Sequence, residues 1–385
     1  MTQEKKKLAL YVHIPFCIKK CNYCDFLSGA ADEQTKDAYL DALVGECRYW
    51  KEYLEGYEIH SVFVGGGTPT CLSEGQLMHL QEGIESLLQT AGVQNPEFSV
   101  EANPGTLTEE KVRVLTGMGA NRISVGLQSS NALELQKLGR IHTYEEFMSA
   151  FQLLRDAGLG NINVDVMAAL PEQTMDSYRE TLERVVKLQP EHISAYSLIV
   201  EEETPFWKQQ EKGILSLPDE DTEREMDRLT QRYLAEHGYE RYEISNYAKP
   251  GMECRHNITY WQMGEYLGVG LGASSYFRRE RFSNTRIMSE YLSREPVDYI
   301  AERHFLTRKE EMEEFVFLGL RMREGISLKE YENRFGVSFY EQYADVLPKF
   351  LENSLLAENE NHDKIYLTTR GMDVSNMVLA EFLLE

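Results

Sequence analysis

Cys17, Cys21 and Cys24 form a C-x3-C-x2-C run close to the start of the chain. A four-iron iron–sulfur cluster normally takes one cysteine per iron, so three thiolates leave one iron with an open position. An iron with a free corner can bind and activate a small molecule, much as a catalytic zinc does and a closed structural zinc does not. The same residues could instead hold zinc, with His13 or another side chain as fourth ligand, or be unrelated buried thiols. A C-x3-C step suits zinc less well than paired C-x2-C steps, and no second cysteine pair follows. A second candidate is the turn Val64–Thr70, whose three consecutive glycines let the backbone approach a ligand and expose its N–H and C=O groups. Alone such a turn is ambiguous; next to the cysteine run on a neighbouring strand it points to a ligand.

The elements that must position these residues alternate along the chain. Short runs rich in β-branched and aromatic residues recur at Leu8–Ile14, Ser61–Val64, Glu97–Glu101, Arg122–Leu127, Asn161–Met167 and His192–Leu198. They are mostly apolar, the pattern of strands buried on both faces of a parallel sheet. Between them lie amphipathic stretches with start and stop signals. Ser73 with Gln76 and Thr143 with Glu146 fit capping boxes, Thr108 and Asp219 fit N-caps, and Gly158 and Gly238 fit helix ends. Six strand–helix units predict an α/β fold, an open partial (β/α)6 barrel too short to close at eight strands. The cysteines follow the first strand, at the edge of the sheet where α/β barrels keep their chemistry.

Beyond residue 205 the pattern changes. Pro218–Asp227 reads as a charged helix start, Arg241–Tyr247 as a further strand, and a glycine-rich run follows Trp261. From about Val297 the chain is acidic and helical and closes in a strand pair and a helix. This divides the chain into a core barrel over 1–205, an extension over 206–296 and a small C-terminal domain of winged-helix type over 297–385.

Composition narrows the partners. The 385-residue chain carries 40 basic and 63 acidic side chains, a formal charge of −23, and no basic stripe, which argues against nucleic acid. No apolar run approaches the roughly 18 residues of a membrane span. The apolar stretch after Lys5, Lys6 and Lys7 is broken by His13 and Pro15 and lacks a small-residue cleavage site, so no signal peptide is expected. Six cysteines in a cytoplasmic, reducing setting point to metal binding rather than disulfides.

The cysteine run in its YVHIPFCIKKCNYCDF context, followed by GGGTP, resembles the radical S-adenosylmethionine superfamily, and within it the HemN/HemW branch of oxygen-independent coproporphyrinogen dehydrogenases and heme chaperones. The resemblance spans nearly the whole chain. It implies a [4Fe–4S] cluster on Cys17, Cys21 and Cys24, with the free iron chelating the methionine end of S-adenosylmethionine. Electron transfer into the sulfonium would then release a 5′-deoxyadenosyl radical. It further implies cofactor contacts from Tyr11 and Tyr23, from Gly66, Gly67 and Thr68, and from Glu101, Gln128, Arg140 and Asp165, with Ser197 and Ala273 as looser matches. Read without the resemblance, Arg140 and Glu101 could pair with each other, Asp165 could cap a helix, and Gln128 could satisfy backbone groups at a strand end.

Two departures separate the branch members. The dehydrogenases resemble C-x3-C-x2-C-x-C, whereas Phe26 stands at the fourth position here. They also carry a longer leading segment than the sixteen residues before Cys17. His256, Asn257, Tyr260 and Trp261 form H-N-x-x-Y-W, which resembles a heme-chaperone signature. Neutral imidazole is a common axial ligand of heme iron, and the two aromatic rings offer flat faces to a porphyrin. An isolated His-Asn would instead read as a satisfied loop histidine beside core aromatics. Cys254 could be a further ligand or attachment point; Cys47 and Cys71 read as buried thiols. The resemblance therefore implies a heme chaperone that delivers heme to client hemoproteins, without coproporphyrinogen dehydrogenase activity. A radical decarboxylase and a zinc-stabilised scaffold are the alternatives. A heme or iron donor protein, peripheral membrane docking and a homodimer are compatible with it.

Overall fold

A computed structural model describes residues 5–384. Six strands pair in parallel and in chain order: β1 (Lys6–Ile14), β2 (Tyr57–Gly66), β3 (Glu97–Ala102), β4 (Arg122–Gln128), β5 (Ile162–Ala168) and β6 (His192–Ser197). The intervening helices are α1 (Glu33–Trp50), α2 (Glu74–Ala91), α3 (Glu109–Gly117), α4 (Ala132–Leu138), α5 (Tyr144–Asp156) and α6 (Met175–Lys187). Their ends form where the side chains specify them. Ser73 and Gln76 make a reciprocal capping box on α2, as do Thr143 and Glu146 on α5, and Thr108 accepts the Lys111 N–H at the start of α3.

The strands alternate more strictly than their composition suggested. Phe98, Val100, Ile123, Val125, Val164 and Ile193 belong to the main apolar core. The alternate positions Glu97, Ser99, Glu101, Arg122, Ser124, Asn163, Asp165 and His192 fall, by the two-residue strand period, on the opposite face. The inner face of the sheet is therefore polar although deeply buried, and its polar atoms pair with one another. Asn163 Nδ2 donates to Asp165 at 2.7 Å, Asn163 Oδ1 lies 2.6 Å from His192 Nδ1, and Arg122 Nη1 donates to Ser99 Oγ at 3.4 Å.

The extension lengthens the sheet at both edges. After α7 (Pro205–Glu211) and α8 (Glu220–Glu236), β7 (Glu240–Arg241) and β8 (Asn246–Ala248) add an antiparallel hairpin beside β6. The single strand expected over Arg241–Tyr247 is thus two. Its middle turns because Glu243 accepts from the Ser245 N–H and from Asn246, while the Arg241 guanidinium donates to the Glu243 and Ile244 carbonyls. These backbone groups are spent on side chains and cannot join a ladder. Helix α9 (Arg255–Trp261) packs on β2, and the Glu97 carboxylate accepts the Arg255 and His256 N–H groups of its first turn. Strand β9 (Tyr266–Val269) then pairs in parallel with β1, followed by β10 (Ser274–Phe277), β11 (Glu280–Asn284), α10 (Met288–Ser293) and β12 (Ile300–Phe305). The result is one open sheet of twelve strands, with β12 at one edge and β7 at the other.

Residues 300–305, expected in the C-terminal unit, thus belong to the main sheet. Past them come α11 (Arg308–Gly319), β13 (Ile326–Ser327), α12 (Leu328–Phe335), α13 (Phe339–Gln342), α14 (Leu347–Glu352), β14 (Leu356–Glu358), β15 (Lys364–Leu367), α15 (Thr369–Asp373) and α16 (Ser375–Ala380). The order helix, strand, helices, hairpin and the sheet order β13-β15-β14 make a winged-helix arrangement. Only one strand of its hairpin lies in the closing run; its partner β14 precedes it. A separate apolar core centred on Phe315, Tyr331, Phe339 and Phe382 holds this unit together, and Met263 and Tyr276 of the extension join it.

Candidate functional site

The cysteines lie on the loop between β1 and α1. The loop is closed at its base, where the Cys17 N–H donates to the Gly29 carbonyl (2.9 Å) and the Gly29 N–H to Pro15 (3.0 Å). It is pinned at its tip by the Asn22 N–H on the Leu138 carbonyl (2.9 Å). All three thiols are partly exposed. Burial, the leading cause, raises the Cys24 thiol above its ordinary pKa. Arg140 Nη1 reaches to 3.7 Å from Cys21 Sγ and Thr68 Oγ1 to 3.6 Å from Cys17 Sγ, so a cation and a hydroxyl face the thiolates a cluster would need. Arg140 is fixed by the Gly126 carbonyl and by Asn103, and Asn103 donates to Thr68 at 2.8 Å. Asn103 was not singled out in the sequence. Its only signal was its place two residues after Glu101.

The glycine turn presses against this loop. The Gly67 N–H donates to Ile14 (2.8 Å) and the Thr68 N–H to Phe16 (2.7 Å). A Cβ on Gly67 would stand 2.5 Å from the Phe16 carbonyl oxygen, and one on Gly66, at φ +108°, 2.3 Å from the His13 ring. Glycine is required here by contact as well as by conformation. His13, the residue considered as a fourth zinc ligand, is committed elsewhere: its ring lies 2.9 Å from both the Leu27 carbonyl and the Tyr11 hydroxyl. Burial, the leading cause, lowers its pKa, so the neutral ring donates to Leu27 and accepts from Tyr11. Among the described residues, no three His, Cys, Asp or Glu side chains converge on a single-ion position.

Beside the loop opens a cavity of about 700 Å³. Of the residues singled out in the sequence, Tyr11, Gly66, Glu101, Tyr260 and Ala273 line it. So do Phe26, Tyr266, Arg281 and Arg286, which the sequence reading did not assign to it. Phe26 is 59% exposed at its edge. Glu101 is the chemically distinctive group. Burial, and secondarily the charge of Asp165, raises its carboxyl to about 7. Its one hydrogen-bond donor is the Gly66 N–H at 3.0 Å, and no cation pairs with it among the described residues. A carboxylate offers about four acceptor positions, so Glu101 has spare capacity for an incoming ammonium. The pairing of Glu101 with Arg140 that the sequence allowed does not occur.

The other candidates sit around this centre. Asp165 accepts from Asn163 and Ser124 on the inner sheet face and caps no helix. Gln128, in a left-handed conformation at φ +68°, accepts from the Tyr196 hydroxyl at 3.0 Å. Tyr23 packs with Tyr196 against the small apolar group around Leu138 and Met167, and Ser197 ends β6 opposite Ala168. None of these four lines the cavity.

The H-N-x-x-Y-W residues do not converge. His256 is 1% exposed, with Nδ1 3.1 Å from Ser61 Oγ and Nε2 2.7 Å from the Tyr260 hydroxyl. Burial, the largest cause, lowers its pKa to about 3. Both of its nitrogens are engaged by protein, so ligation of heme iron by His256 requires one of these bonds to break. Tyr260 faces the cavity that Glu101 lines, whereas Trp261 faces the C-terminal unit, with the Arg321 guanidinium 4.7 Å from its ring centre. Asn257 is half-buried on α9. Cys254 is wholly buried and donates to Glu97, which excludes a ligand role without rearrangement. Cys47 is buried as expected; Cys71 is partly exposed.

Comparison with known proteins agrees with this geometry. The profile described as the Radical SAM superfamily matches residues 11–185, and that of the HemN C-terminal domain matches 306–374. The heme chaperone HemW of Lactococcus lactis is 37% identical over 381 residues, covering 99% of this chain and 98% of that protein. HemW of Bacillus subtilis is 38% identical, covering 97% and 98%. The chain belongs to the HemW family of radical SAM proteins. The family resemblance in the sequence is thereby upheld, as is the fold. Coproporphyrinogen III oxidase (HemN) from Escherichia coli, a radical SAM enzyme, superposes with a TM-score of 0.85 at 23% identity, covering 98% of this chain and 90% of that one. At that identity the likeness is one of fold. Membership of the HemW family entails a [4Fe–4S] cluster and S-adenosylmethionine, and the residues present suit both. Three partly exposed thiols sit on the loop whose Asp25, Phe26 and Leu27 line a cavity with a buried, under-satisfied carboxylate in its wall.

Proposed function

We propose that this chain is a heme chaperone of the radical SAM type, binding a [4Fe–4S] cluster, S-adenosylmethionine and heme and passing heme to client hemoproteins in the cytoplasm. The single observation that carries this is the full-length match to curated HemW proteins in a chain that keeps the three-cysteine loop and has Phe26 where the dehydrogenases resemble cysteine. Cys17, Cys21 and Cys24 would hold the cluster, which supplies an electron to the sulfonium when both groups are bound. Glu101 takes the ammonium of the methionine moiety, Gly66 and Gly67 let that end approach the backbone, and Tyr11 and Ala273 shape the wall. Arg140 balances charge behind Cys21, while Tyr23, Gln128, Asp165 and Ser197 support the rim. His256 holds Tyr260 toward the cavity. The barrel, extension and C-terminal unit divide near residues 205 and 305. Among the described residues no helix is long and apolar enough to cross a membrane.

One assay separates this reading from the enzyme with the shared fold. Cluster-loaded protein is supplied anaerobically with reductant, S-adenosylmethionine and coproporphyrinogen III, and separately with hemin and an apo-hemoprotein. Heme uptake and transfer without vinyl product is expected; catalytic vinyl formation would overturn the reading.

A further inference from the structure

A second cavity is larger than the one beside the cysteines. It has a volume of about 1120 Å³ and lies between the extension and the C-terminal unit, walled by α8, the β7–β8 hairpin, one residue of α9 and the segment from β15 into α15. We propose that this interdomain cavity seats heme, by its chemistry a planar apolar dianion; the inference rests on the heme reading above.

Size is the first argument. Pockets for ordinary small ligands run to roughly 300–1,000 Å³, and this one exceeds that range. Its walls carry the flat and soft surfaces a macrocycle needs, from Tyr239, Ile258, Leu367 and the thioethers of Met322 and Met372. Methionine sulfur is also a known class of heme-iron ligand.

Charge is the second. In a chain of −23, five cations and three carboxylates line this cavity. Lys364 is paired with Glu324, but Arg232 and Arg323 have no carboxylate within ion-pair distance among the described residues. Arg241 lies deeper. Its side chain is nine-tenths buried, its nearest carboxylate is Asp227 at 3.9 Å, and its Nη1 has no hydrogen-bond partner among the described residues. Its Nη1 is itself enclosed and its Nε and Nη2 donate to the Glu243 and Ile244 carbonyls, so Arg241 adds positive charge behind the wall, while the exposed Arg232 and Arg323 are the guanidiniums that propionates can reach. The cavity beside the cysteines is lined by three carboxylates and two guanidiniums, and with Glu314 paired to Arg281 it leaves Glu101 to meet an ammonium.

Position is the third. Helix α9 separates the two cavities, presenting Ile258 to one and Tyr260 to the other. A hydrogen-bonded chain on the inner sheet face also leads toward the larger cavity, from Asp165 through Asn163 and His192 to Tyr242, whose hydroxyl lies 2.8 Å from His192 Nε2 and which lines that cavity.

The test is a hemin titration of the full-length, cluster-reconstituted protein followed at the Soret band, comparing wild type with Arg241→Gln, Arg232→Glu and the space-filling Ala235→Trp. Arg232 and Ala235 lie on the exposed face of α8, so these two variants should fold even if Arg241→Gln does not. The expected result is a rise in hemin Kd of about tenfold or more in each, with cluster content and S-adenosylmethionine binding unchanged. Wild-type Kd in Arg232→Glu and Ala235→Trp would overturn the site. So would normal binding in the cavity variants together with loss in a folded Tyr260→Ala, which would place heme at the motif instead. A wild-type protein that takes up no hemin would sink the heme reading itself, a different failure.

Discussion

Cys17, Cys21 and Cys24 sit partly exposed on a loop, with one guanidinium and one hydroxyl turned toward their sulfurs. His256 of α9 is 1% exposed, and both of its ring nitrogens are bonded within the protein. Both motifs looked like ligand sets in the sequence. A ligand set keeps donors free and pays for that with loop closure and close glycine packing. A set whose polar atoms are already satisfied first serves the fold. The contrast teaches that motif and site are separable: α9 helps to form two cavities without its histidine opening onto either.

Variants can break or sharpen this contrast. The largest effect is expected from Cys21→Ala, which should reduce iron and sulfide to background after anaerobic reconstitution while leaving the unfolding midpoint of the apoprotein nearly unchanged. Full cluster content would remove the ligand set. The converse is expected of His256→Ala. It strands Ser61 Oγ in the core and removes the partner of the Tyr260 hydroxyl, and should cost about 3 kcal/mol in denaturant unfolding with cluster content retained. A variant as stable as wild type would return the histidine to the role of ligand. Gly67→Ala should cost about 1–3 kcal/mol and lower cluster occupancy, because the new methyl meets the Phe16 and Ile14 carbonyls. Retained cluster and stability would show the turn to be more yielding than its contacts imply.

The cavity lined by Glu101 should also respond to pH. Burial holds the Glu101 carboxyl near 7. Because this lies above the ordinary carboxylate value, the folded apoprotein binds the proton more tightly than the unfolded chain. That contribution to stability is fully present below the ordinary value and is lost as pH rises through about 7. Binding of an ammonium needs the ionised form, so S-adenosylmethionine affinity should rise between about pH 6 and 8. Glu101→Gln should weaken binding about tenfold at the upper end and flatten the profile in isothermal titration. A slope that persists in the variant would assign the titration to another group. The smallest effect belongs to Tyr260→Phe, which removes one partner of His256 and should cost about 1 kcal/mol.

The sequence by itself determined the strand–helix alternation, the capped helix starts and the cysteine loop, because strand runs, capping boxes and C-x3-C-x2-C spacing are local in the chain. Its resemblance to a known family also implied that Glu101, Gly66 and Tyr11 act together, and the fold brings the three to one cavity wall. It misjudged the strand interiors, where a polar inner face is hidden among β-branched residues. It also misjudged Arg241–Tyr247, where side-chain bonds replace ladder bonds. Only the tertiary structure decided that His256 is enclosed while Tyr260 is not, that Asn103 braces Arg140, and that Met372, far along the chain, shares one cavity wall with Arg232 and Arg241. Those outcomes depend on which faces meet when separate elements pack, and no local spacing encodes that.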